Sequence, residues 1–318
     1  MSIKIIGMGR AVPEKSVSND ELASFLDTND EWIVSRTGIS SRHVCTSETL
    51  TDLSASASKQ ALEKAKLTAC DIDLIICSTF CGEYLTPSLA CSAAEQIGAA
   101  CPAFDINAAC TGFIYALEVA CGFFSMGKAR NILIVSAEKM STQVDWNDRN
   151  TCVLFGDGAA ATVVTAGNAL KYMTLSTIAD TSTLNLPTTT GNSPFVSEKV
   201  EKSFLMMQGQ EVFKFAVGAV GPEIRKALEK LEMSPEQVDW YVLHQANKRI
   251  IDSIRIKLQL PEEKFPINID KYGNLSSVSI PLLLCEMLEE KKLKAGDSVF
   301  MSAFGAGLTV GSCVMVWE

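Results

Sequence analysis

Histidine occurs only twice in these 318 residues, so any chemistry that needs an imidazole rests on His43 or His244. Positive charge is in deficit, with 28 Lys and Arg against 37 Asp and Glu. A body of net charge -9 repels phosphates, which argues against general nucleic-acid binding. No Cys-x-x-Cys pair occurs and the cysteine count of 11 is odd, a pattern that suggests neither a zinc site nor a complete disulfide framework. No apolar run is long enough to span a bilayer. The opening Met1-Ser2-Ile3-Lys4-Ile5-Ile6-Gly7 lacks the regions of a signal peptide. These absences predict a cytoplasmic protein without a membrane span, in which most cysteines are small buried hydrophobes. A Pro/Gly/Ser-rich linker is also missing, which predicts one continuous core.

What is present begins with a composition of 47% hydrophobic and 20% charged residues, that of a globular protein long enough for one large domain or two ordinary ones. An internal repeat runs through it at a fixed offset of 166, from Ala61 to Ala227. Ala61-Leu62-Glu63-Lys64 recurs at Ala227-Leu228-Glu229-Lys230. Asp73-Leu74-Ile75-Ile76-Cys77 faces Asp239-Trp240-Tyr241-Val242-Leu243. The segment from Lys128 to Ala137 faces the one from Lys294 to Ala303. Each copy reads helix, strand, helix, strand, which predicts two similar α/β halves, 1–166 and 167–318. Thr51 ahead of a 52–66 helix and Gly221-Pro222 opening a 222–231 helix supply the start signals. Leu74 to Cys77 and Ile132 to Val135 suit strands buried on both faces, and Gly112 to Met126 suits a buried helix. A long loop is expected over 180–206.

Four places along the chain carry candidate chemistry. Cys110 follows the stretch Phe104 to Ala109 and precedes Thr111-Gly112 and the buried helix. A thiol at a helix N-terminus is expected to have a lowered pKa. His244 ends the strand Trp240 to Leu243, where α/β proteins place their sites, whereas His43 sits in a polar stretch. Asn274 stands just before an apolar helix beginning near Ser277. Asparagine there is commonly a cap, but the repeat mate of Cys110 is position 276, two residues away. Ala303-Phe304-Gly305-Ala306-Gly307 follows an apolar strand with side chains small enough for backbone N–H groups to approach a substrate oxygen.

Together these pieces resemble the β-ketoacyl-acyl-carrier-protein synthase III family. The resemblance runs through Arg36-Thr37-Gly38-Ile39-Ser40-Ser41-Arg42, Ala109-Cys110-Thr111-Gly112-Phe113, Phe155-Gly156-Asp157-Gly158-Ala159, His244-Gln245-Ala246-Asn247, Tyr272-Gly273-Asn274 and Ala303 to Gly307. It implies a thiolase-like five-layered αβαβα fold, a homodimer and a decarboxylative Claisen condensation. An acyl-CoA starter would be joined to malonyl-acyl carrier protein, giving a 3-oxoacyl-carrier protein, CO2 and CoA and initiating fatty acid synthesis. The CoA thioester would be a substrate, with no separate cofactor and no metal. Cys110 would take the acyl group, His244 and Asn274 would bind the second thioester carbonyl, and the backbone of Cys110 and Ala306 would form the oxyanion hole. Trp32 and Arg149 would flank the CoA adenine, with Arg36 and Thr37 nearby and Asn247 on the pantetheine arm. Lys248, Arg249 and Lys257 after His244, joined by Lys214, are the candidate carrier-protein contacts. Thr86 and Phe304 are the candidate acyl-pocket residues.

Three departures from the family pattern stand out. Ala306 replaces a usual glycine, Leu275 replaces a usual threonine, and Leu85-Thr86-Pro87-Ser88 replaces a common Phe-Pro. The last resembles the segment that reaches into the partner subunit's pocket and leaves the starter open. An elongating synthase of the Cys–His–His type is excluded because only His43 could be its second histidine. A synthase III relative in secondary metabolism fits almost as well as the primary enzyme. A non-catalytic partner subunit fits poorly, since Cys110, His244 and Asn274 are all present.

Overall fold

The computed structural model describes residues 2–188, 195 and 203–318. Its first half runs β1 (Ser2–Ala11), β2 (Ser16–Ser18), α1 (Asn19–Ala23), α2 (Asp30–Thr37), β3 (Ser41–His43), α3 (Leu50–Ala65), β4 (Leu74–Ser78), α4 (Leu89–Ile97), β5 (Ala103–Ile106), α5 (Gly112–Ser125), β6 (Asn131–Lys139) and β7 (Asp157–Gly167). The second runs β8 (Leu170–Asp180), β9 (Leu184–Asn185), β10 (Met206–Met207), α6 (Gly209–Leu231), β11 (Trp240–Leu243), α7 (Lys248–Leu258), α8 (Ile269–Tyr272), α9 (Ser279–Glu289), β12 (Ser298–Gly305) and β13 (Gly307–Val316).

Two mixed sheets form, in the orders β1-β7-β6-β4-β5 and β11-β12-β13-β8. The parallel pair β4–β6 in one sheet is matched by β11–β12 in the other, and the antiparallel pair β6–β7 by β12–β13. Among the described residues of these two sheets, β5 is the strand without a counterpart. The apolar runs read as two-faced strands are buried without interruption from Leu74 to Ser78 and from Ile132 to Glu138.

The core explains the layering. Ala116, Leu117 and Ala120 of α5 and Leu283, Leu284 and Met287 of α9 pack in one cluster with Ile76 and Ile134 of the first sheet and Met301 and Cys313 of the second. Helices α3 and α4 cover the other face of the first sheet, through Leu53, Ala57, Ala90 and Leu133. Helices α6 and α7 cover the other face of the second, through Ile224, Ile251, Phe300 and Val314. Helix, sheet, helix, sheet, helix is the five-layered αβαβα arrangement of the thiolase fold.

Some boundaries differ from expectation. Helix α3 starts before Thr51, because Thr49 and Asp52 form a reciprocal cap in which each side chain accepts the other's backbone N–H. Gly221-Pro222 does not open a helix: Pro222 lies inside α6, which begins at Gly209. The missing N–H of Pro222 costs one helical bond, but Ala216, Val220, Ile224 and Ala227 bury one face of a helix that continues through it. The apolar helix near Ser277 begins at Ser279, after a 3₁₀ turn over Ser276–Val278. Of the expected 180–206 loop, Leu184–Asn185 and Met206–Met207 pair as short strands, while 189–194 and 196–202 lie outside the described residues.

Candidate active site

Cys110 occupies a 3₁₀ turn, Ala109–Thr111, between β5 and α5. Ala109 before it has a φ of 45°, a left-handed conformation that a non-glycine residue adopts at a cost. The β12–β13 turn presses on this thiol. A Cβ on Gly305 would come 2.9 Å from the Cys110 nitrogen and 3.1 Å from its Cβ, so only glycine permits the approach. Thr309 fastens the arrangement, its hydroxyl 3.0 Å from that of Thr111 and 3.1 Å from the Ala306 carbonyl.

His244 follows β11, its backbone N–H donating to Ser302 O at 2.9 Å. The side chain is buried, and the Phe304 ring meets the imidazole edge-on at 5.4 Å between centroids. Burial pushes its pKa down to about 3, so the ring is neutral at physiological pH. Asn274 is clamped by its backbone, which donates to Leu154 O at 2.8 Å and accepts from Gly156 N at 3.2 Å. Gly156 is required there because a Cβ would come 2.5 Å from Tyr272 O. The Asn274 Oδ1 accepts from Ser276 N at 2.8 Å, which leaves the Nδ2 amide as the side chain's donor.

These segments converge on one cavity of about 1760 Å³, lined by Cys110, His244, Asn274, Phe304, Gly305 and Ala306. His43 is not among its lining residues; its Nδ1 lies 2.6 Å from Pro13 O. The expectation of an acidified thiol is overturned. Burial, with the Glu138 charge adding to it, pushes the Cys110 thiol up to about 12, and a hydrogen bond from the Ser276 side chain offsets only part of this. The start of α5 supplies a favourable field, but enclosure costs a thiolate more. A thiol at about 12 beside an imidazole at about 3 is a neutral pair at rest.

Trp32, Arg36, Thr37, Arg149 and Asn247 all border the same cavity. The guanidinium carbons of Arg36 and Arg149 lie 4.6 and 5.0 Å from the Trp32 ring centroid, an aromatic–cation stack at the cavity wall. Arg149 also bonds the Asp27 carbonyl and meets its carboxylate at 3.2 Å. Thr37 and Asn247 are more committed than expected. The Thr37 hydroxyl donates to Ile33 O and accepts from Ile39 N. Asn247 caps α7 through Arg249 N and donates to Arg36 O at 3.0 Å.

The basic group divides in two. Lys214 pairs with Glu211 at 2.7 Å and Lys248 with Asp252 at 2.8 Å. Arg249 lies 5.8 Å over the Phe213 ring at the cavity wall, and Lys257 is exposed; among the described residues neither has an ion-pair partner. Thr86 does not line the chain's own cavity. It is exposed, and Leu85 beside it borders the cavity instead, with its side chain fully exposed. Phe304 lines the cavity but also packs against His244 and Phe215.

Sequence reasoning missed Glu138 and Ser276. Glu138 ends a buried strand and is itself fully buried, and Ser276 lines the cavity. A lone acid after the apolar run Ile132 to Ala137 was the available signal. Among the described residues no group of three or more His, Cys, Asp and Glu could hold a metal ion, and no helix is long and apolar enough to cross a membrane.

Residues 104–181 match the family described as 3-oxoacyl-[acyl-carrier-protein] synthase III, and residues 228–317 match its C-terminal family. The β-ketoacyl-[acyl-carrier-protein] synthase III of Clostridium novyi is 41% identical, with 100% of this chain and 99% of that protein covered. That of Clostridium perfringens is 44% identical, with 98% of each covered. The chain belongs to the synthase III family. Its members are acyltransferase-type condensing enzymes. The crystal structure of the Aquifex aeolicus synthase III superimposes with a TM-score of 0.92 at 41% identity, over 99% of this chain and 100% of that one. The priming β-ketosynthase of the R1128 polyketide pathway does so with a TM-score of 0.92 at 33% identity, over 100% of this chain and 96% of that one.

Proposed function

We propose that this chain condenses an acyl-CoA starter with malonyl-acyl carrier protein, losing CO2 and CoA and giving the 3-oxoacyl-carrier protein that begins fatty acid synthesis. The observation that carries the reading is the convergence of one thiol and two neutral hydrogen-bond donors on a single cavity. Cys110 takes the acyl group as its thioester. His244 and the Asn274 amide donate to the carbonyl of the malonyl thioester. Loss of CO2 leaves an enolate, whose carbon attacks the acyl-Cys110 carbonyl. Neutral donors suit that enolate, and the pKa of His244 keeps it a donor rather than a charged acid. Backbone N–H groups of Cys110 and Ala306 hold the oxyanion of the attack, a role supported by the close contact of Gly305 with Cys110.

The CoA adenine takes its place against Trp32, with Arg36 and Arg149 already stacked there; Thr37 and Asn247 shape the channel more than they donate to it. Arg249 and Lys257 are the cations left to meet an acidic carrier protein, and Lys214 and Lys248 act more weakly because each is paired. The two halves, 1–166 and 167–318, act as one unit, with the nucleophile from the first and the donors from the second. The thioester chemistry needs no cofactor, and the protein works in the cytoplasm as a homodimer. Support for the dimer comes from β5, whose outer edge pairs with no strand among the described residues, and from the exposed Tyr84 and Leu85, the latter at the cavity.

The likeness to a polyketide-priming synthase favours a second reading, in which the same reaction starts a secondary product. One experiment addresses class and starter together: incubation with a panel of acyl-CoAs and intact mass measurement. A gain of one acyl group, absent in Cys110→Ala, is expected. No acylation by any member of the panel would refute the assignment.

A further inference from the structure

Glu138 is fully buried near the end of β6, yet among the described residues no ion pair forms to it. Its Oε2 takes the Cys81 thiol at 3.0 Å, Phe80 N at 3.4 Å and the Thr79 hydroxyl at 3.5 Å. Its Oε1 takes the hydroxyls of Ser276 and Ser277, each at 3.2 Å. The titratable groups that act on it come from two other segments, Cys81 after β4, whose thiol donates to it, and Cys110 before α5. Asp157 at the start of β7 pairs in register with Lys139 rather than Glu138, and its carboxylate is occupied by Cys45 N and Ser141. Lys139, next in the chain, sends its ammonium to Glu48 O instead. With burial the largest cause, the Glu138 carboxyl is pushed up to about 7.

Ser276 joins this acid to the thiol. Its hydroxyl donates to Glu138 at 3.2 Å, Ser276 lines the same cavity as Cys110, close enough to lower the cost of a thiolate there, and its backbone N–H orients Asn274. A hydroxyl has one hydrogen to give. When Glu138 is ionised it can only accept, so it draws the Ser276 hydrogen to itself and leaves the sulfur facing a second negative charge. When Glu138 is protonated it can donate to the Ser276 oxygen, and the Ser276 hydrogen is free for the sulfur. We propose that Glu138 is a positioning residue which, in its protonated form, turns the Ser276 hydroxyl onto the Cys110 sulfur and so supports the reactive thiolate. This deepens the condensing-enzyme reading, since it rests on Cys110 as the nucleophile.

The test is the rate of iodoacetamide alkylation at Cys110 from pH 5.5 to 8.5, read on the Cys110 peptide by mass spectrometry so that the other cysteines do not interfere. In the wild type the rate rises about tenfold per pH unit while the thiol is mostly protonated, and flattens above roughly pH 7 as Glu138 ionises. Glu138→Gln, permanently neutral, is expected to lose the flattening and to react roughly tenfold faster than wild type at the alkaline end. Ser276→Ala should slow the reaction, and in that background Glu138→Gln should lose most of its gain. A straight wild-type profile, a break that persists in Glu138→Gln, or a gain undiminished without Ser276 would each overturn the proposal. The wild-type profile decides even if a variant fails to fold. Alkylation of a Cys110 that no acyl-CoA acylates would refute the condensing assignment, while a wild-type break would still support the role of Glu138.

Discussion

At the scale of single residues the site works by withholding charge. Cys110 rests as a thiol and His244 as a neutral imidazole, because desolvation disfavours charge on the half-buried sulfur and on the buried ring. Even so, a thiol ionises far more readily than the hydroxyl of serine. Cys110→Ser is therefore expected to abolish acylation and condensation while leaving thermal unfolding unchanged; near wild-type condensation by the variant would refute the nucleophile. In the proposed reaction His244 and Asn274 donate to the second substrate. Their alanine variants should lose on the order of 10²–10³ in CO2 release from malonyl-carrier protein, the usual loss for one oxyanion donor, and much less in formation of acyl-Cys110. Equal losses in both steps would contradict that division. Cys110, His244 and Asn274 were legible in the sequence because each stands where a strand or loop meets a helix or turn. Glu138 was not, because its partners Cys81, Ser276 and Ser277 arrive from distant segments. The acidified thiol was misread for a related reason: sequence shows the helix start, not the walls that close over it.

At the scale of elements, two glycines set the spacing of the site, each for a different reaction step. Gly305 brings the β12–β13 turn onto Cys110, and Gly156 admits the Tyr272–Asn274 segment beneath β7. Gly305→Ala forces a methyl against the Cys110 backbone and should chiefly slow acyl transfer from CoA. Gly156→Ala forces one against Tyr272 O and should displace Asn274, so CO2 release suffers more than acylation. Each overpacking should cost about 1–3 kcal/mol of stability. Acyl-Cys110 mass and CO2 release, measured on both variants, check the pairing; the same step slowed in both would count against it. Strands were the most legible elements, since Leu74 to Cys77 and Ile132 to Val135 are apolar enough to fit only a sheet covered on both sides. Helix starts were read less well. Gly221-Pro222 has the chemistry of a start, but the i, i+4 spacing of Val212, Ala216, Val220 and Ile224, one face of a helix, continues across it, and burial of that face outweighs one lost bond.

At the scale of the molecule, the 166-residue repeat predicts two similar α/β halves and the family resemblance implies the five layers; two sheets with matching pairings bury α5 and α9 between them. The loop before α4 is held firmly at its base, where Asp105 accepts from Leu89 N at 2.7 Å and from Ala90 N at 2.8 Å. Its tip projects outward, with Tyr84 and Leu85 exposed and Thr86 between Leu85 and Pro87. A held loop with a bare apolar tip beside an unpaired sheet edge is suited to a second copy, so the species in sedimentation should have twice the 34.3 kDa mass of the chain. Thr86 would then act in the partner's cavity and not in its own. Threonine there leaves room that phenylalanine would fill, so Thr86→Phe should shift preference from isobutyryl- and butyryl-CoA toward acetyl-CoA. A methylene in an apolar pocket is worth about 1–3 kcal/mol, which bounds the shift in relative kcat/KM. A mixed dimer isolates the effect: one subunit carries Thr86→Phe with Cys110→Ser, and the other is wild type. Only the wild-type Cys110 can then turn over, and the only added ring is on its partner. Altered selectivity in that dimer is the expected result. Unchanged selectivity there, with altered selectivity when Thr86→Phe is on the active subunit, would place the residue in its own chain's pocket and refute the crossing.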